Sequence, residues 1–96
     1  FVHGSAQTPL CLLRELAKQA PRLQNVELTF ITVQGDITVD KPEYEGIFNI
    51  NCMFVSESVR KAVNEGRADF IPVFLSDIPD LFKKGYLPID VALVQV

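Results

Sequence analysis

The sequence predicts an α/β domain: a mostly parallel sheet with helices on both faces, in three layers. Three observations predict it. Apolar runs of strand length alternate with segments whose apolar residues recur at helical spacing, as in successive βαβ units. The last run, Ile89 to Val96, is almost continuously apolar, which suits a strand covered on both faces. The chain has 96 residues, one domain's length. A complete (β/α)8 barrel, at ~250 residues, does not fit.

Each element follows from its residues. Residues 1–3 lead as a short extended segment into Gly4-Ser5-Ala6. Thr8-Pro9 then reads as a helix start, with Thr8 as N-cap and Pro9 at the first helical position, where a missing donor costs nothing. Leu13, Leu16, Ala17 and Ala20 share one helical face, and Pro21 ends the helix. Val26 to Val33 is β-branched and aromatic, a strand. Gln34 to Glu45 is polar and reads as a long inserted loop. Ile47 to Phe54 alternates imperfectly and reads as a second strand.

Ser56 is placed to cap a second helix with the apolar face Val59, Ala62 and Val63. Glu57 and Lys61 are spaced as an ion pair, and Gly66 supplies the stop. Ala68 to Leu75 reads as a buried strand in which Pro72 marks an end or a bulge. Ser76 is placed to cap a third helix that runs to Gly85, with Asp77 early and Lys83 and Lys84 late, matching the helix dipole. Its apolar face is Ile78, Leu81 and Phe82, and the final strand follows.

Composition removes several functions. Hydrophobic residues at 48% and charged residues at 22% argue against disorder. Twelve acids against nine bases leave a net charge of −3 with no basic stripe, so nucleic acid is not an expected partner. No apolar run reaches the ~18 residues of a membrane helix, so no membrane is expected either. Cys11 and Cys52 are too few for a disulfide scaffold and read as two reduced, buried thiols of an intracellular protein. The chain opens on Phe1 without an initiator Met and stops at Val96 inside an apolar run, which reads as a piece of a longer polypeptide.

The most informative stretch is Gly4-Ser5-Ala6-Gln7-Thr8-Pro9, between an extended segment and a helix. Ligands of open α/β sheets sit at such carboxyl ends. Free N–H groups and the positive helix end suit an anion or oxyanion, and Gly4 permits close backbone approach. A plain βα turn would carry the same residues. His3 stands beside this loop and could orient a ligand or serve structure alone. A single histidine without Cys/His spacing gives no metal site. Ser5 lacks the G-x-S-x-G elbow of a hydrolase. Arg60 could pair a carboxylate or phosphate, or simply be solvated. Arg67-Ala68-Asp69 reads as a turn with local charge compensation. None of the six glutamates (15, 27, 43, 45, 57, 65) reads as a buried carboxylate with a raised pKa.

Three segments carry a family resemblance. They are the Gly4–Pro9 loop, the run Phe54-Val-Ser-Glu-Ser-Val-Arg60 through Gly66-Arg-Ala-Asp69-Phe-Ile-Pro72, and Leu75-Ser-Asp-Ile-Pro79-Asp-Leu-Phe82 through Asp90-Val-Ala-Leu-Val-Gln-Val96. Together they resemble the N-terminal domain of the acetyl-CoA hydrolase/transferase family, and within it the 4-hydroxybutyrate CoA-transferase group. The resemblance spans essentially the whole chain. It implies part of a CoA-transferase-like α/β/α domain belonging to a longer, two-domain enzyme with its active site between the halves.

The implied activity moves CoA from a short-chain acyl-CoA, such as acetyl-CoA, to a carboxylate, such as 4-hydroxybutyrate. A glutamate of the second domain attacks the thioester and passes through an anhydride to a glutamyl-CoA thioester. No segment here matches that glutamate's motif, so no catalytic residue is assigned and the 96 residues alone are expected to be inactive. Coenzyme A is implied as co-substrate, with no tightly bound cofactor. Implied substrate-binding residues are Gly4, Ser5, Gln7 and Thr8, with Asn51, Phe54 and Arg60 as further candidates. Implied partners are the acyl-CoA, the small carboxylate and the chain's own C-terminal domain, and a homo-oligomer is compatible. Eukaryotic members of the group imply a mitochondrial location, with the cytoplasm otherwise. Thioester hydrolysis within the family and a non-catalytic anion-binding module are the alternative readings.

Overall fold

The computed structural model describes all 96 residues, Phe1–Val96. Its sheet has three parallel strands in the order β1 (Val26–Phe30), β2 (Phe48–Cys52) and β3 (Ala68–Phe70). Its α-helices are α1 (Leu10–Lys18), α2 (Glu57–Asn64) and α3 (Ile78–Lys83). The α/β class is as the sequence predicts.

Two flanking segments widen the sheet through single bridges. The Val2 amide donates to the Thr29 carbonyl at 2.9 Å, placing the N-terminal segment beside β1. On its other side Val2 bridges Leu93 in parallel, with His3 N–H to Leu93 O at 2.9 Å and Leu93 N–H to Phe1 O at 2.8 Å. The order is therefore Leu93, Val2, β1, β2, β3. The predicted last strand, 89–96, shrinks to that one bridge, and Ile89, Val91 and Val94 are exposed. It lies at the sheet's edge with a partner on one side only, so most of its backbone has nothing to pair with.

Register sorts the strand residues by face, because successive side chains alternate. Val26, Leu28 and Phe30 lie level with Phe48, Ile50 and Cys52. On this face Leu13 and Ala17 of α1 and Val59 and Ala62 of α2 close one continuous core with Val2 and Ala68. Phe30, 1% exposed, is its largest fully buried side chain. Burial of that kind contributes roughly 1.5–3 kcal/mol. The other face carries Glu27, Thr29, Asn49, Asn51 and Asp69. Phe1, which alternates with the core residue Val2, meets Phe82 of α3 edge-on at 5.5 Å. That contact places α3 over the sheet's Phe1 edge only.

The loop between β1 and β2 is more than a surface insertion. Ile37 and Val39 are fully buried in the core, with Thr38 between them at φ 69°. A 3-10 turn, Pro42–Tyr44, brings the Tyr44 ring against Phe48 at 5.7 Å. This apolar crossover occupies the place a helix takes in most βαβ units.

Several local expectations are corrected. The β1 ladder stops at Phe30, level with the end of β2 at Cys52, and beyond it Val33 keeps only a single bridge to Ser5, which at φ 53° turns the first segment away. β3 ends at Phe70 after Ile71 N–H reaches Cys52 O, since Pro72 has no donor to continue. Ser76 does not cap α3. It lies inside a 3-10 turn, Leu75–Asp77, and α3 starts at Ile78 with Pro79 in its first turn. Pro9, not Thr8, occupies the N-cap position of α1.

The helix α2 ends as predicted at Gly66, φ 77°, with Gly66 N–H to Val63 O and Arg67 N–H to Ala62 O. Glu57 and Lys61 form no ion pair; the salt bridges are Lys18–Glu15 and Arg67–Glu65. Arg67 also donates to the Asp40 carbonyl, rather than compensating Asp69. Cys52 is buried as expected, but Cys11 is exposed, because it sits on the outer side of α1 away from Leu13 and Ala17.

A β-carbon on Gly4 would stand 2.2 Å from the Thr32 carbonyl oxygen, so Gly4→Ala should destabilise the protein by about 3 kcal/mol in urea unfolding. Gly46→Ala, in open space at φ 87°, should cost only about 1 kcal/mol. Burial, with Asp36 nearby, pushes the Asp40 carboxyl above the usual carboxylate range. A raised acid favours folding only while protonated, and that contribution is lost as pH rises through the folded pKa. Asp40→Asn should therefore raise the urea midpoint at pH 7, and the gain should vanish near pH 3.

Candidate functional site

All strands run parallel, so their carboxyl ends share one edge. That edge gathers the loop after Val2 (residues 4–9), the residues after β1 (31–35) and those after β2 (53–58). The chain leaves its first segment toward β1, while the Leu93 segment lies on the opposite side. The strand order thus reverses beside the first loop, which is where open α/β sheets form their binding crevice.

The first loop is held rigidly. Gly4 lies against the Thr32 carbonyl, so the close approach it permits is to another strand. Ser5 is held in the left-handed region by three bonds. Its N–H donates to Thr32 O at 3.0 Å, and its carbonyl accepts from Thr8 N–H at 3.2 Å and from Thr8 Oγ1 at 2.6 Å. Gln7 N–H donates to Gly4 O at 3.1 Å. Of the expected row of free N–H groups, those of Ser5, Gln7 and Thr8 are spent on carbonyls, and those of Gly4 and Ala6 are left over. Ser5 and Gln7 turn exposed side chains to the edge.

Thr8 is 5% exposed and links two loops. Its Oγ1 accepts from Gln34 N–H at 3.1 Å while donating to Ser5. Gly35 follows at φ 83°, with the Leu10 side chain against it. Beyond lies a cleft of about 440 Å³ lined by Val33, Gln34, Gly35, Ser56, Glu57 and Ser58. Ser56 holds the N-cap position of α2, but its buried hydroxyl has no hydrogen-bond partner. The positive end of α2 and the Glu57 carboxylate in its first turn oppose each other in sign there.

The structure brings Gly4, Ser5, Gln7 and Thr8 together. Phe54 shares their edge: it is 53% exposed, and its N–H is tied to Ile31 O at 2.8 Å. Asn51 points instead to the polar sheet face, and Arg60 projects from α2 without a partner. His3 accepts from Gln95 N–H through Nδ1 at 3.4 Å, tying the two segments that flank the reversal. Sequence reasoning missed Gln34 and Gly35, whose signal was a glycine directly after the β1 run. A larger cleft, about 750 Å³, opens elsewhere, between Leu16, Leu23, the 87–93 segment and the β1 residues Glu27 and Thr29. It is mainly apolar and lies apart from the loops of the carboxyl edge.

Fold and edge define a parallel α/β domain built to present loops at one end of its sheet. The family model described as "Acetyl-CoA hydrolase/transferase N-terminal domain" matches residues 1–96, and the chain belongs to that family. It is 38% identical over its whole length to the succinyl-CoA:acetate/propanoyl-CoA:succinate CoA transferase of Fasciola hepatica, covering 20% of that protein. It is 36% identical, again over its whole length, to the 4-hydroxybutyrate coenzyme A transferase of Clostridium kluyveri, covering 22%. A butyryl-CoA:acetate CoA-transferase of Anaerostipes caccae is 28% identical over 93% of this chain and is 20% covered. The chain thus spans about a fifth of the length of these relatives.

Removing the Thr8 hydroxyl tests the link between the loops. Thr8→Val keeps the shape, leaves the Gln34 amide without its acceptor, and should cost about 2 kcal/mol of stability in thermal or urea unfolding. Thr8→Ser keeps both bonds and should recover most of that loss.

Proposed function

We propose that this chain is part of the N-terminal domain of a CoA-transferase acting on short-chain acyl groups, and that its carboxyl edge forms the acyl or carboxylate wall of the active site. The family match across residues 1–96 carries the reading. Relatives named for succinyl-CoA, acetate, 4-hydroxybutyrate and butyryl-CoA support the substrate class.

Coenzyme A enters as co-substrate. In the proposed reaction a glutamate outside residues 1–96 attacks the acyl-CoA carbonyl and expels the CoA thiolate, leaving a glutamyl-acyl anhydride. The thiolate then attacks the glutamyl carbonyl and releases the first acid as a carboxylate. The acceptor carboxylate attacks the resulting glutamyl-CoA thioester and expels the thiolate, giving a second anhydride; the thiolate then attacks its acceptor-derived carbonyl, yielding the new acyl-CoA and free glutamate. Splitting one exchange into such steps is the gain of covalent catalysis. Ser5 and Gln7 would orient the small acid, with Thr8 and Gly4 holding the loop. Phe54 at the same edge would limit the room for the acyl group.

The test is CoA exchange by the full-length protein between acetyl-CoA and 4-hydroxybutyrate. Exchange should occur, and borohydride should trap a glutamyl thioester outside residues 1–96. Residues 1–96 alone should show no turnover. Release of free CoA without any acceptor dependence would instead establish hydrolysis, and neither reaction would remove the proposal.

A further inference from the structure

The cleft of about 440 Å³ at the start of α2 adjoins the loop proposed to orient the small acid. Gln34 lines that cleft, and its amide is bonded to the Thr8 hydroxyl of the loop at 3.1 Å. Gln34, Ser56, Glu57 and Ser58 make its walls polar, and Val33 is the hydrophobic residue among them. A small molecule there meets hydroxyls, an amide and one carboxylate.

Charge in the cleft is one-sided. Glu57 is the one charged residue of the lining, and no lysine, arginine or histidine joins it. Glu57 is in neither salt bridge of the chain, Lys18–Glu15 and Arg67–Glu65. Lys61, one turn further along α2, forms no ion pair with it, and Arg60 stands outside the lining. Asp36, beside Gly35 in the chain, is a second carboxylate, and it accepts from the Thr38 amide at 3.0 Å. The dipole of α2 supplies roughly half a positive charge, which the full charge of Glu57 in its first turn outweighs.

We propose that Glu57 is a specificity-determining residue. It disfavours acids that carry a second carboxylate and so biases CoA exchange toward short acids whose far end is uncharged. An acid held by its reacting carboxylate at Ser5 and Gln7 would turn its other end toward the cleft. A second carboxylate there meets Glu57 with no cation between them, and like charges a few ångströms apart repel. An uncharged end escapes that repulsion, and a hydroxyl finds polar walls to bond. Selection of this kind works through a repulsive element against the wrong substrate. The inference rests on the reading that the carboxyl edge is the acid's side of a CoA-transferase site.

The test is CoA exchange by the full-length enzyme near pH 7, with acetyl-CoA as donor and either 4-hydroxybutyrate or succinate as acceptor. The readout is the ratio of the two kcat/KM values. The unaltered enzyme should favour 4-hydroxybutyrate at least about tenfold. Glu57→Gln should lower that ratio at least about fivefold, chiefly through a lower KM for succinate. Glu57→Asp keeps the charge and should keep most of the ratio. Glu15→Gln removes an exposed carboxylate of α1 that lies outside the cleft, and should leave the ratio unchanged. Succinate used as well as 4-hydroxybutyrate overturns the inference. So does a ratio unmoved by Glu57→Gln, or one lowered equally by Glu57→Asp or Glu15→Gln. In each of those results exchange persists and the functional reading stands, whereas no exchange with either acid removes both.

Discussion

The carboxyl edge depends on the contact of two backbones. Gly4 lies so close to the Thr32 carbonyl that no β-carbon fits between them. That approach lets the Ser5 amide reach Thr32, which holds Ser5 in the left-handed region and turns the chain into α1. The turn carries Thr8 to where one hydroxyl serves both Ser5 and Gln34. Two loops far apart in sequence are thereby fixed as one surface. A side chain at position 4 would push the first segment off β1 and release Ser5, Thr8 and Gln34 together.

The second constraint is the parity of the strands. Leu28, Phe30, Phe48, Ile50 and Cys52 all fall on one face, so a single core serves both α1 and α2. The crossover between β1 and β2 contributes Ile37 and Val39 to the same core in place of a helix. The opposite parity is polar almost throughout, and α3 reaches it only through Phe82. This division gives the sheet one apolar side and one polar side within residues 1–96.

Much of this could be read in the residues. The strands and helices lay where β-branched runs and helical spacing put them, and Gly66 ended α2 as its position suggests. Three quoted segments pointed to the family whose model matches residues 1–96. Other features were hidden for physical reasons. The apolar run 89–96 looks like a central strand, but propensity says nothing about how many neighbours a strand will find. Ile37 and Val39 sit among polar residues, and only Thr38 at φ 69° turns both inward. Thr8 and Ser56 occupy cap-like positions, yet tertiary partners, or their lack, decided what each hydroxyl does. The pairing of Thr8 with Gln34 joins residues 26 apart in sequence, beyond the reach of any local pattern.

The edge that results is suited to orientation more than to bond-making. Its first loop is tied down by the amides of Ser5, Gln7 and Thr8 and by the Thr8 hydroxyl, so it can present Ser5 and Gln7 without rearranging when a ligand arrives, which saves ordering cost on binding. Its one carboxylate, Glu57, stands exposed beside the end of α2, fully available to water. A nucleophile that must form an anhydride needs water kept away, or the intermediate is hydrolysed. Nothing at this edge excludes water from Glu57. That exposure is consistent with the proposed division, in which these loops orient a small acid and the attacking carboxylate lies outside residues 1–96.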